Sequence, residues 1–239
     1  MTQGIHQLAA SMVNQLNRVD VISNNLANAN TVGFKQSNLA EGTFNRYLRE
    51  QAKKDEVVLK ESMVMDTIPK IDASYRDESL GAAVLTGNNL DFAIKDKEMF
   101  FKVKNLQGNI EYTRDGSFKN LAGKLVSQNG FEVLDNNNNP IDINNPNFKE
   151  SIAVIKIDFK NLDKIGDNNY KTKDDKKIEV IANNQEYLMQ GALEQSNVNT
   201  IKTMVGLIEA QRIFEQSQKA VTGIDQINSK VINTIGNNR

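Results

Sequence analysis

No cysteine occurs among the 239 residues, which excludes disulfide cross-links and thiolate metal sites. Histidine occurs once, as His6, so a nucleophile–histidine–acid arrangement could be built at one place only. His6 lies within an amphipathic helical pattern and reads as a surface or subunit-contact residue. Tryptophan is absent, and a mean hydropathy of -0.50 with 39% apolar residues allows a core but not a large one. Basic and acidic side chains number 29 and 30, a net charge of -1 that sets up no general field for nucleic acid or an anionic membrane. No apolar run approaches the roughly 18 residues needed to span a bilayer, so no transmembrane segment is expected. Met1–His6 has neither a basic n-region nor an apolar h-region, so a cleaved secretory leader is not expected there.

Recognisable site chemistry is missing as well. There is no Gly-x-Ser-x-Gly elbow, no Gly-x-Gly-x-x-Gly and no phosphate loop. Asp135, Asn137 and Asn139 imitate the first ligands of a calcium loop, but Pro140 stands where glycine is needed and Pro146 where glutamate is needed. Lys171, Lys173, Lys176 and Lys177 form a basic cluster that Asp174 and Asp175 interrupt, with Tyr170 as the one aromatic able to stack on a base. Both stretches read as solvated loops. No enzyme activity, cofactor, metal or small-molecule substrate is expected. Asparagine occurs 32 times, so no single asparagine is a signal by itself.

What is present is concentrated at the two ends. Ile5, Met12, Val19 and Leu26 form one heptad seam, and Leu8, Gln15, Ile22 and Ala29 its companion. The pattern predicts a helix that stops near Asn30–Gly33, where Asn and Gly take left-handed backbone angles. Near the other end Leu207, Ala210, Phe214, Ser217, Val221, Ile224, Asn228, Val231 and Ile235 alternate steps of three and four. Val198, Ile201, Met204, Val205 and Ile208 precede them in a different phase, a change that adjusts a supercoil locally. Ser196, Asn197 and Asn199 are candidate N-caps for this second helix. Such stripes ordinarily pack on a domain of their own. At opposite ends of one chain, they are most simply buried against each other or against neighbouring subunits.

Between them the period changes. Residues 36–56 read as a charged linker containing Arg46, Arg49, Glu50, Lys53, Lys54, Asp55 and Glu56. Short strands are predicted at Val84–Leu85, Leu90–Ile94, Phe100–Lys104, Ile110–Arg114, Lys124–Ser127, Ile152–Phe159 and Ile178–Ile181. Asp115–Gly116 and Asn129–Gly130 are hairpin signals. The fold class is therefore α+β: a discontinuous helical domain from 1–35 and 192–239, the linker at 36–56, and a central all-β domain at 57–191.

The block Ser23-Asn24-Asn25-Leu26-Ala27-Asn28-Ala29-Asn30-Thr31-Val32-Gly33-Phe34-Lys35 resembles the N-terminal signature of flagellar rod and hook proteins. Thr86–Ile94 and Tyr112–Phe118 are similar to that family's middle region. Gly191–Asn199, with Glu194, Ser196 and Asn197, and then Gln211-Arg212-Ile213-Phe214-Glu215, resemble its C-terminal signature. The resemblance covers nearly the whole chain. It implies terminal helices joined in a coiled coil inside a tubular rod, with the β domain outside. It implies a structural subunit of the bacterial flagellar basal body, in the rod that spans the periplasm, which assembles with itself and with other axial proteins. It also implies export through the flagellar type III apparatus without a cleaved leader. The matched family positions are Ala27, Asn28, Thr31, Gly33, Phe34, Lys35, Glu194, Ser196, Asn197, Arg212, Phe214 and Glu215, to which the seam adds Ile5, Met12, Val19 and Leu26. Distal members carry a Gly-Thr-Gly-Val-like block before the first strands, where this chain has Tyr75–Gly81, and their Gly-x-Gly-Phe-Phe is Lys97–Phe101 here. The compact middle points to a proximal rod subunit. A distal rod or hook-type subunit is the alternative within the family. Outside it stands a soluble coiled-coil interaction or export-partner protein, against which the β blocks argue.

Overall fold

The computed structural model describes residues 2–43, 69–166, 168–174, 178–181 and 184–236. Two compact units emerge, each assembled from separate stretches of chain. A terminal unit takes Met1–Ala27, Ser37–Tyr75 and Asn199–Arg239, and a β unit takes Asn28–Gln36 and Arg76–Val198. Their bounds differ from the expected 1–35 and 192–239. Both signature blocks cross over into the β unit, because residues just beyond each helix hydrogen-bond there and not along the helix.

In the terminal unit α1 (Thr2–Ala27) and α2 (Thr200–Gly236) pack along one another. They approach closely where Gly206 leaves room for Ile22, whose Cδ1 would lie 3.7 Å from a Cβ at that glycine. Of the three expected caps Asn199 serves α2, its Oδ1 accepting from Lys202 N at 2.9 Å. α1 stops at Ala27 with Asn25 folded back on the following chain. Asn25 Nδ2 donates to Ser37 O at 2.7 Å, and its Oδ1 accepts from Ser37 N at 2.9 Å. A reciprocal pair of this kind gives an exposed-looking asparagine a reason to be 1% exposed. Ser37 opens β1 (Ser37–Thr43), which pairs with β2 (Pro69–Arg76). The expected linker thus begins as a strand. Its charged residues from Arg46 to Glu56 lie outside the described residues.

All seven predicted strands of the middle are present: β3 (Ala83–Leu85), β4 (Phe92–Ile94), β5 (Met99–Lys104), β6 (Ile110–Thr113), β8 (Lys124–Val126), β10 (Val154–Lys156) and β13 (Glu179–Val180). Six more were not legible: β7 (Lys119–Leu121), β9 (Glu132–Val133), β11 (Leu162–Gly166), β12 (Asn169–Thr172), β14 (Leu188–Gln190) and β15 (Ala192–Glu194). Strands β5–β13 form one sheet in which β5 is central, pairing with β6 on one edge and with β9 and β10 along the other. Neighbouring side chains of a strand point to opposite faces, so Phe100 and Phe101 head two different cores. Phe101 joins Phe92, Phe118, Leu125, Val133 and Val154. Phe100 joins Tyr112, Ile155, Phe159 and Tyr170, with Phe159 and Tyr170 at edge-on centroid distances of 5.1 and 5.6 Å.

The two hairpin signals part company. Asn129–Gly130 turns β8 into β9, with Gly130 at φ 80°. Asp115–Gly116 does not join paired strands. Gly116 instead lets the backbone of β4 come close, for a Cβ there would stand 1.8 Å from Phe92 O. The calcium-like loop is closed by its own residues. Asp135 Oδ1 accepts from Asn137 N at 2.8 Å and Asn139 N at 2.7 Å.

Candidate functional site

Segments 28–36, 112–118 and 191–198, each singled out in the sequence, meet inside the β unit. Glu194 ends β15, where the ladder to β3 sets it opposite Ala83. Its carboxylate oxygens are shared between two cations. Oε1 accepts from Lys35 Nζ at 2.7 Å and from Gly81 N at 3.0 Å, and Oε2 accepts from Arg114 Nε at 2.7 Å. The side chains of Lys35 and Arg114 are 0% exposed and that of Glu194 is 3% exposed.

One anion cannot neutralise two cations, and backbone dipoles supply the rest. Arg114 Nη1 donates to the carbonyls of Asp96, Lys97 and Met99 at 2.8, 3.0 and 2.7 Å. Lys35 Nζ donates to Ser79 O at 2.6 Å. Buried charges persist only when paired and hydrogen-bonded in this way. Burial pushes the Lys35 pKa below the usual lysine value. Glu194 opposes that shift and the Arg114 guanidinium adds to it.

The backbone is drawn into the same node. Gly33 N donates to Glu194 O at 2.7 Å. Gly33 has φ 67°, and a Cβ there would lie 2.6 Å from both C and O of Arg114. Glycine is required here for close approach as much as for its torsion angle. Phe34, 1% exposed, is capped by Lys164, whose Nζ stands 4.5 Å from the ring centroid. Asn28 and Thr31 form the turn leading in, Thr31 N donating to Asn28 O at 3.1 Å.

Asn197 is the second centre. Its Oδ1 accepts from Gln36 N at 2.8 Å, and its Nδ2 donates to Asp77 O at 2.9 Å and Ser79 O at 3.2 Å. Asp77 N in turn donates to Gln36 O at 2.8 Å. Ser196 has a smaller part, its Oγ accepting from Val198 N at 3.3 Å.

Of the residues named from the sequence, Gly33, Phe34, Lys35, Glu194 and Asn197 therefore come together. Ile5, Met12, Val19, Leu26 and Phe214 are half-buried in the terminal unit, where Arg212, Glu215 and Ala27 are exposed. Sequence reasoning missed Arg114 as a partner, and with it Ser79 and Gly81. The available signal was an arginine two residues after Tyr112, in phase with a strand position that faces a core.

Beside the node, Asp115 is held above the ordinary carboxylate range. Burial is the main cause, hydrogen bonds from Ser117 oppose it, and Asp91 adds to it. A raised carboxylate contributes stability that is present below its unfolded pKa and is lost as pH rises through its folded pKa. Asp115→Asn should therefore gain on the wild type as pH is raised from 4 to 7. Urea denaturation at both ends of that range checks it, and a pH-independent difference would contradict it.

Three family models match the chain. Residues 9–35 match "Flagella basal body rod protein", residues 96–159 "Flagellar hook protein FlgE/F/G D1 domain", and residues 189–235 "Flagellar basal body rod FlgEFG protein C-terminal". Together they take in Lys35, Arg114 and Glu194. The flagellar basal-body rod protein FlgG of Buchnera aphidicola subsp. Baizongia pistaciae is 32% identical, covering 89% of this chain and 92% of the relative. The rod protein FlgF of Caulobacter vibrioides is 32% identical over 91% of each. The FlgG protein of Borreliella burgdorferi is 31% identical over 95% and 96%.

Proposed function

The chain belongs to the flagellar basal-body rod protein family, and from that premise we propose how this rod subunit assembles. As a structural subunit of the flagellar basal body it acts by assembling with other axial proteins, and its family is not known for catalysis.

The observation that carries the reading is an apolar stripe on α2. Ile201, Met204, Val205 and Ile208 are 75%, 50%, 60% and 50% exposed, at the helical spacing of one face. A groove of about 360 Å³ continues it, lined by Val205, Ile208, Glu209, Arg212, Ile213 and Gln216. On α1 Val13 and Leu16 are 57% and 49% exposed. Exposed apolar stripes on paired helices suit burial against neighbouring subunits in a helical wall. The neighbours are copies of this chain and other axial subunits, joined in a coiled-coil-like layer to which the seam residues Ile5, Met12, Val19, Leu26 and Phe214 also contribute. Within the helix pair Asn14 Nδ2 and Gln15 Oε1 are buried without hydrogen-bond partners, at a cost of about 1–3 kcal/mol each. That cost favours ends that order fully on docking.

The compact middle and the missing distal-type glycine blocks support a proximal position. Export through the type III apparatus without a cleaved leader fits the same reading. Val205→Asp with Ile208→Asp should abolish incorporation into the rod and motility while the far-UV spectrum of the purified chain stays unchanged. Normal incorporation of the double variant would overturn the stripe as a subunit contact.

A further inference from the structure

The chain passes between its two units four times, after residues 27, 36, 75 and 198. Inside the β unit all four passages are tied to one another. Gln36, Asp77 and Asn197 form a closed set through Gln36 N to Asn197 Oδ1 at 2.8 Å, Asp77 N to Gln36 O at 2.8 Å, and Asn197 Nδ2 to Asp77 O at 2.9 Å. The passage at residue 27 joins them through Gly33 N and Glu194 O at 2.7 Å. Only five residues separate Ala27 from Gly33, and two separate Asn197 from Thr200. Tethers this short restrict both helices to a small volume, since each residue spans at most about 3.6 Å.

We infer that Asn197 and Glu194 are positioning residues for the terminal helices: by holding the four passages together they raise the effective concentration of α1 for α2. The inference concerns the chain by itself, whatever it assembles with. A closed node converts helix pairing into a short-tether event. An open node leaves the same helices on longer, looser connections, and effective concentration falls as tethers lengthen. The device needs no residue on either helix. It also puts the order of events in one direction, because the node belongs to the β unit and can close before the helices pair.

The absence of cysteine makes the test clean. A disulfide reporter, Ile22→Cys with Gly206→Cys, is placed in the full chain at a contact inside the terminal unit. Its equilibrium with glutathione gives the effective concentration of the pair directly. Asn197→Ala and Glu194→Gln are each expected to lower that value about tenfold. Ile155→Ala, buried in the sheet and not among the residues whose hydrogen bonds tie the passages, destabilises the β unit without removing those bonds and is expected to leave the value unchanged. An unchanged effective concentration in both node variants overturns the inference. So does an equal fall with Ile155→Ala, which would make general stability, and not the node, the cause.

Discussion

Glu194→Ala is expected to cost the β unit about 3–5 kcal/mol, the penalty for leaving buried charge without its partner. Lys35 and Arg114 would then face each other across the vacated position, both at 0% side-chain exposure. Gly33 N keeps its bond to the Glu194 carbonyl, but Gly81 N loses its acceptor. Against a typical total of about 5–15 kcal/mol the loss is close to unfolding. Lys35→Met should cost distinctly less. It leaves Glu194 and Arg114 as a balanced pair, and what is lost is the ammonium with its bonds to Glu194 and Ser79. The order of the two variants is thus the informative result, with Glu194→Ala the worse. Urea denaturation followed by circular dichroism measures it. Equal losses, or a loss under about 1 kcal/mol for Glu194→Ala, would mean that water reaches the node.

A chain ending at residue 198 is expected to keep its β unit folded, and one ending at residue 190 to lose it. The first deletion removes α2 alone. The second also removes β15, the counter-ion of Arg114, the acceptor of Gly33 N and the three-way bridge of Asn197. Each orphaned buried group costs about 1–3 kcal/mol beyond the unpaired charge. The sum is comparable to the whole stability of a domain. Loss of a cooperative urea transition in the shorter chain, with its retention in the longer, is the expected outcome. A cooperative transition in the chain ending at residue 190 would show that the sheet closes without the C-terminal signature.

Local pattern made much of this architecture legible. The terminal helices announced themselves by apolar spacing. Strands such as β5 and β10 announced themselves by runs of Phe, Val and Ile buried on both faces. β7, β9 and β15 are two or three residues long and carry Lys, Asn or Glu, so they present no run to detect. β1 was hidden because Ser37–Thr43 has the composition of a linker, and its pairing depends on a distant partner. Asp115–Gly116 misled because a turn-type dipeptide can also mark a place where two backbones touch. For the node, the resemblance supplied Lys35 and Glu194 as family positions without saying what they do. Their pairing spans 159 residues, and no short-range periodicity encodes a contact of that separation. Arg114 looked like an ordinary strand-end cation until the surrounding carbonyls were in place.

The segments 28–36 and 194–198 run in the same direction, Gly33 lying against Glu194 and Phe34 against Asn197. α1 joins the first segment at its start, and α2 leaves the second at its end. A pull between the two helices therefore slides one segment along the other and cannot peel them apart bond by bond. The Gly33, Lys35 and Gln36 links are strained together, and each shields the rest from the full force. Two parallel segments held in this way are loaded in shear, the geometry in which hydrogen bonds fail collectively and late.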